Sequence, residues 1–156
     1  MKVLIDTNIL VRSVQRSHAL MRPARNALRF LYQQGNELCV TPQNISEFWN
    51  VCTRPREVNG LEHSIGEADR LTSRIELFFT VLPDSIEAFK AWRRLVVVNE
   101  VRGAKVHDAR LVAIMEMHGV EHLPTFNTSD FKRFESITTL HPTSLTEWLL
   151  HTPQQP

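Results

Sequence analysis

The stretch "VLIDTNIL", residues 3–10, ends an apolar run with three polar side chains, Asp6, Thr7 and Asn8. A chain that enters a protein core as a short buried strand should not carry a carboxylate there, because burying an unpaired charge costs several kcal/mol. A partner, a hydrogen-bond network or a metal ion must therefore compensate Asp6. Alternatively, Asp6 caps a helix that follows the strand.

The length and composition are those of a globular domain. The chain has 156 residues, of which 42% are hydrophobic and 22% charged, so disorder is not expected. We expect one domain over residues 1–150 and a frayed tail over residues 151–156. No stretch approaches the roughly 18 apolar residues of a membrane helix, and residues 1–2 lead into a segment too short for a signal peptide. We therefore expect a cytoplasmic location and no membrane partner.

Charge and histidine spacing narrow the possible partners and metals. The net charge is +1, which predicts no strong field for a polyanion, although 14 of the 18 basic residues are arginine. The seven histidines form no zinc-binding pattern, since His118 and His122 flank a glycine that ends a helix. Zinc is therefore not expected.

Short apolar segments alternate with segments of helical periodicity along the chain. The sequence predicts strands over residues 2–5, 37–40, 80–82, 122–125 and 137–140. It predicts helices over residues 18–34, 42–53, 64–79, 108–118 and 145–150. A further helix is predicted to begin after a cap at residue 84 or 85. This alternation favours an α/β fold with a parallel sheet covered by helices on both faces.

Several acidic residues follow predicted strands or begin a helix. In open parallel sheets, ligands bind beyond the carboxyl ends of the strands, which is where Asp6 lies. Asp130 lies in a polar loop after the fourth strand, together with Thr125 and Asn127. Asp108 begins a strongly apolar helix, whose N-terminus favours negative charge. Asp108 and Asp130 can equally be helix caps.

Glu47 has a different setting. The apolar stripe of its predicted helix lies roughly opposite this side chain, so periodicity alone predicts a solvated glutamate. The stripe consists of Ile45, Phe48, Trp49 and Cys52.

Four segments taken together, "LIDTNIL", "TPQNISEFWNV", "KVHDARLVA" and "TFNTSDF", resemble the PIN-domain family, and most closely its bacterial toxin ribonucleases. The resemblance covers residues 3–140. It implies a three-layer α/β sandwich with a five-stranded parallel sheet in the order 3-2-1-4-5 and an acidic pocket at the carboxyl edge. The acids that share catalysis and metal binding in the family match Asp6, Glu47, Asp108 and Asp130. Asn8, Thr125 and Asn127 match residues that orient those carboxylates.

The chemistry implied by this resemblance is metal-dependent hydrolysis of RNA phosphodiester bonds. Carboxylates held close together repel one another, and a divalent cation removes that penalty. Oxygen ligands select Mg²⁺ or Mn²⁺, and we expect one or two ions. Arg12, Lys105 and Arg110 are candidates for RNA contacts, although each can equally be a solvated cation.

The resemblance also implies partners. The family suggests a toxin held inactive by a cognate antitoxin protein, and a homodimer. The alternatives are a housekeeping RNA-processing nuclease without an inhibitor, or a non-catalytic RNA-binding module on the same fold.

Overall fold

The computed structural model describes residues 1–145, which form a parallel sheet with helices between its strands. The strands are β1 (Lys2–Leu4), β2 (Glu37–Val40), β3 (Thr80–Val81), β4 (His122–Pro124) and β5 (Thr138–Leu140). The α-helices are α1 (Thr7–Val14), α2 (Met21–Gln33), α3 (Pro42–Thr53), α4 (Ile65–Phe78), α5 (Ile86–Val98) and α6 (Val106–His118). None of these helices is long and apolar enough to cross a membrane.

All strand pairs are parallel, and the order in the sheet is β3-β2-β1-β4-β5. The predicted topology is therefore confirmed. The central strand β1 pairs with β2 on one side and with β4 on the other, so that Val3 lies beside both Leu38 and His122. Because the strands run in the same direction, their carboxyl ends meet at one edge of the sheet.

Alternate side chains of β1 and the residue after it point to opposite faces of the sheet. Val3 and Ile5 belong to a core cluster that includes side chains of α1, α2, α3 and α4. Leu4 belongs to a second cluster built with α5 and α6. The predicted three-layer sandwich is therefore confirmed, with two cores separated by the sheet.

One helix was not predicted from periodicity, and another begins three residues later than predicted. Helix α1 begins directly after Asp6, in a stretch for which no helix was assigned from periodicity. Helix α2 begins at Met21 rather than at residue 18, because His18 Nδ1 accepts a hydrogen bond from the Leu20 N–H in a preceding turn. The predicted closing helix of residues 145–150 lies outside the described residues apart from Leu145, and so does the predicted tail of residues 151–156.

Candidate active site

Asp6 lies at the carboxyl end of β1 and occupies the N-cap position of α1, but its side chain makes no capping hydrogen bond. Instead, Asp6 Oδ2 accepts hydrogen bonds from Thr125 Oγ1 at 2.5 Å and from Asn8 Nδ2 at 2.8 Å. The residue is only 8% exposed. A hydrogen-bond network therefore compensates the buried carboxylate, and helix capping does not account for it.

Thr125 connects this network to the end of β4. Its hydroxyl donates to Asp6 and accepts from Asn8 Nδ2 and from the Asn127 N–H, each at 3.0 Å. Asn8 Oδ1 in turn accepts the Phe126 N–H at 3.3 Å. Asn8 and Thr125 thus orient Asp6 through their side chains, whereas Asn127 contributes its backbone N–H.

Glu47 is held at the same edge by the start of α3. A reciprocal capping box between Thr41 and Asn44 fixes the first turn of that helix. One turn further on, Glu47 Oε2 accepts a hydrogen bond from Thr7 Oγ1 at 2.8 Å, and Oε1 accepts one from Gln43 Nε2 at 2.7 Å. Glu47 is therefore partly buried and held at both oxygens, unlike a freely solvated glutamate.

Asp108 and Asp130 both form ion pairs with the ammonium group of Lys105. Asp108 lies in the first turn of α6, and Asp130 lies in a 3-10 turn, Thr128–Phe131; no side-chain capping bond begins either element. Lys105 Nζ lies 2.7 Å from Asp130 Oδ2 and 3.4 Å from Asp108 Oδ2. The two acids, 22 positions apart in the sequence, are thus brought together by one ammonium group.

The four acids form what we call the acidic cup, defined as Asp6, Glu47, Asp108 and Asp130. The pKa of Asp6 is raised to about 6, chiefly by burial; the Thr125 hydrogen bond lowers it, and the charges of Asp108 and Glu47 add to the rise. Burial also raises the pKa of Asp108, where Lys105 opposes the shift and the charges of Asp130 and Glu47 add to it. These mutual effects mean that the carboxylates destabilise one another electrostatically.

The predicted RNA-contacting residues lie in different surroundings. Lys105 forms ion pairs with Asp108 and Asp130 of the acidic cup. The Arg12 side chain donates to Gln15, and Arg110 forms an ion pair with Asp84 just before α5. RNA contacts by Arg12 and Arg110 stay predictions, and any such contact would compete with these intramolecular partners.

Two residues of the candidate site were not predicted from the sequence, Thr7 and Gln43. Thr7 donates to Glu47, and Gln43 Nε2 donates both to Glu47 and, at 3.1 Å, to the His107 carbonyl at the start of α6. Gln43 precedes Glu47 by four residues on one helix, which places the two side chains on the same face. This four-residue spacing from Glu47 is the sequence signal that could have placed Gln43 in the site.

The chemistry of the acidic cup fits a hard divalent cation. All the side-chain ligands it offers are carboxylate oxygens, which suit Mg²⁺ or Mn²⁺. Within residues 1–145, no three acidic, histidine or cysteine side chains stand at metal-binding spacing. Lys105 Nζ lies 2.7 Å from Asp130 Oδ2 and 3.4 Å from Asp108 Oδ2, so a metal ion placed between these two carboxylates would have to displace it.

Comparison with known structures gives the same fold. A chain of VapBC2 from Rickettsia felis, bound to a DNA fragment from its promoter, matches with a TM-score of 0.69 and 14% identity over 90% of this chain and 98% of that one. VapBC-1 from nontypeable Haemophilus influenzae matches with a TM-score of 0.67 and 14% identity over 92% and 99%. The sarcin-ricin loop cleaving toxin VapC20 of Mycobacterium tuberculosis matches with a TM-score of 0.59 and 17% identity over 82% and 92%.

The sequence itself matches a family model. No curated protein matches the chain. The model of the PIN domain, in contrast, matches residues 3–136, which include every member of the acidic cup. The chain therefore belongs to the PIN-domain family.

Proposed function

We propose that the protein is a Mg²⁺- or Mn²⁺-dependent endoribonuclease, and that it is the toxin of a toxin-antitoxin pair. The observation that carries the proposal is the acidic cup, in which burial and neighbouring carboxylates raise the pKa values of Asp6 and Asp108. A protein that only had to fold would be more stable without this repulsion. Carboxylates that repel one another are expected in a site for a divalent cation, because each of them is attracted to the bound ion.

Each acid has a proposed role. Asp6, Asp108 and Asp130 are the metal ligands, and Glu47 binds the metal directly or through a water molecule. Bound there, a divalent ion would lower the pKa of a water molecule and stabilise the negative charge that develops on a phosphodiester during hydrolysis. Glu47 would orient the attacking water.

The neighbouring residues keep these acids in place. Asn8 and Thr125 fix the Asp6 carboxylate through Oδ2, and Thr7 and Gln43 fix Glu47 through both oxygens. Such supporting hydrogen bonds limit the rotation of ligating carboxylates, which raises metal affinity.

RNA as the substrate is supported by the neighbour from Mycobacterium tuberculosis, which is described as a toxin that cleaves the sarcin-ricin loop. The test is incubation of the purified protein with single-stranded RNA in Mg²⁺, Mn²⁺ or chelator, beside Asp6→Asn and Asp108→Asn. We expect metal-dependent cleavage that both substitutions abolish while the protein stays folded. Equal cleavage in chelator, or by both variants, contradicts the mechanism. Metal-independent RNA binding without cleavage would favour the non-catalytic alternative.

An antitoxin partner is supported by the structural neighbours and by a groove on the surface of this chain. The structural neighbours from Rickettsia felis and Haemophilus influenzae are VapBC structures, and one from Klebsiella pneumoniae is described as a toxin-antitoxin complex. In this chain an apolar groove of about 500 Å³ lies between α1, α2 and α4. Its apolar lining comprises Leu10, Val14, Leu28, Phe48, Leu71, Ile75, Phe78 and Phe79.

The edge of this groove is basic. Arg25, Arg29 and Arg74 line it, and all three are exposed. We propose that the groove takes an amphipathic segment of an antitoxin with apolar side chains towards the groove and acidic side chains towards the arginines. Homodimer formation and a cytoplasmic location stay predictions.

A further inference from the structure

Lys105 differs from the other charged residues near the site because its ammonium group forms ion pairs with two members of the acidic cup, Asp108 and Asp130. It is the residue immediately before α6, at the end of a 3-10 turn, Gly103–Lys105. Its side chain is 41% exposed, compared with 25% for Asp108 and 33% for Asp130. The charged group therefore lies at the mouth of the cup, between solvent and the carboxylates.

The two contacts of Lys105 have different origins. Asp108 is three residues further along the same helical segment, so this ion pair is local and is expected of any helix with that spacing. Asp130 comes from the loop after β4, and its contact with Lys105 is the shorter one, at 2.7 Å. Lys105 therefore connects two elements whose carboxylates would otherwise repel.

The position between two carboxylates is one that a divalent cation would also favour. An ammonium group carries one positive charge and donates hydrogen bonds, whereas a divalent ion carries two charges and binds oxygen atoms directly. Both cannot occupy the same space between Asp108 and Asp130. Binding of one therefore requires displacement of the other.

We propose that Lys105 is the internal counter-ion of the acidic cup: it holds Asp108 and Asp130 together in the metal-free protein and competes with the divalent metal for these two carboxylates. This inference rests on the proposed metal-dependent function. Lys105 thereby lowers the metal affinity of the site and stabilises the fold before metal binds. Metal binding breaks both Lys105 contacts and leaves the side chain at the mouth of the cup.

The test compares Lys105→Met with the wild-type protein. Methionine keeps a long, flexible apolar side chain but removes the ammonium group. We expect Lys105→Met to bind Mn²⁺ between about threefold and tenfold more tightly in isothermal titration calorimetry, because two partly exposed ion pairs no longer compete. We also expect its Tm in chelator to be lower than that of the wild-type protein.

Two variants serve as controls, and a third is held in reserve. Lys105→Arg retains the charge and should stay close to the wild-type protein in both measurements. Lys105→Gln removes the charge but keeps a polar side chain, and it replaces Lys105→Met if that variant does not fold. Lys132→Met removes an exposed lysine two residues after Asp130, and it reports the effect of net charge alone.

The outcomes separate the inference from the proposed function. If the wild-type protein and Lys105→Met bind Mn²⁺ with equal Kd, or if the variant binds more weakly, the inference is overturned and the metal-dependent function stands. If Lys132→Met tightens binding as much as Lys105→Met, the effect is one of net charge and the inference is again overturned. If no form of the protein binds Mn²⁺, the proposed function fails, and the inference fails with it.

Discussion

The Thr125 hydroxyl donates a 2.5 Å hydrogen bond to Asp6 Oδ2 across a separation of 119 residues. This bond joins the carboxyl end of β4 to that of β1, the central strand. It also opposes the effects that raise the pKa of Asp6, which are burial and the charges of Asp108 and Glu47. Thr125 therefore helps to keep Asp6 ionised.

The Thr125→Val variant tests this role. Valine has nearly the same shape but cannot donate a hydrogen bond, so the pKa of Asp6 should rise above its value of about 6. We expect Mn²⁺ affinity at neutral pH to fall about tenfold, as is typical when a partner of a metal ligand is lost. Calorimetric titrations at several pH values measure this change. The matched control is Thr138→Val, at an exposed threonine in β5, which should bind Mn²⁺ as the wild-type protein does.

The stability of the metal-free protein should depend on pH through Asp6. Its pKa is raised from 3.8 to about 6 on folding, so the folded state binds a proton more readily than the unfolded chain does. The resulting destabilisation is fully present above pH 6 and is lost as the pH falls towards 3.8. At 1.36 kcal/mol per pKa unit, the full effect is on the order of 3 kcal/mol.

Urea unfolding in chelator at about pH 7.5 and about pH 5 measures this dependence. We expect Asp6→Asn to be more stable than the wild-type protein at the higher pH. The difference in the free energy of unfolding should shrink by about 1 kcal/mol at the lower pH, because wild-type Asp6 is then largely protonated. A difference that does not change with pH contradicts the raised pKa.

Gln43 should affect catalysis through Glu47. Gln43→Met keeps the length of the side chain and removes the hydrogen bonds to Glu47 Oε1 and to the His107 carbonyl. We expect kcat for RNA cleavage to fall about tenfold with little change in KM, because Glu47 loses its fixed orientation. The same substitution at the exposed Gln33 of α2 is the control and should leave both constants unchanged. A rise in KM at constant kcat would instead place Gln43 in RNA binding.

The basic edge of the apolar groove should determine antitoxin binding. If the protein is a toxin, a neighbouring reading frame should encode a small protein that co-purifies with it. We expect Arg29→Glu to weaken this association through charge repulsion, and to leave RNA cleavage by the isolated protein unchanged. Co-purification followed by a cleavage assay measures both. Unchanged association of the Arg29→Glu variant would show that the partner binds elsewhere.

Periodicity and local signals predicted most of the fold. The five short apolar segments became the five strands, and the segments between them gave helices at α3, α4, α5 and α6 close to the predicted bounds. Helix α1 was missed because it has only eight residues and polar side chains at both ends, including Asn8 and Ser13. A short helix of that kind is held by packing against the core rather than by its own propensity.

The position of some acids of the candidate site was predictable from the order of the strands, whereas that of the others was not. Asp6 and Asp130 follow strands, and those strands are neighbours in the sheet through β1 and β4. Glu47 could not be assigned from periodicity, because its side chain lies away from the apolar stripe of α3. The contact between Lys105 and Asp130 depends on the packing of two loops, which no local pattern in the sequence records.

Crystals of the protein soaked in Mn²⁺ show whether the acidic cup binds a divalent metal, through the anomalous scattering of manganese. We expect an anomalous peak within about 2.2 Å of carboxylate oxygens of both Asp6 and Asp108, with Lys105 displaced from Asp108 and Asp130. Manganese bound elsewhere in the crystal, with no peak in the acidic cup, would contradict this expectation.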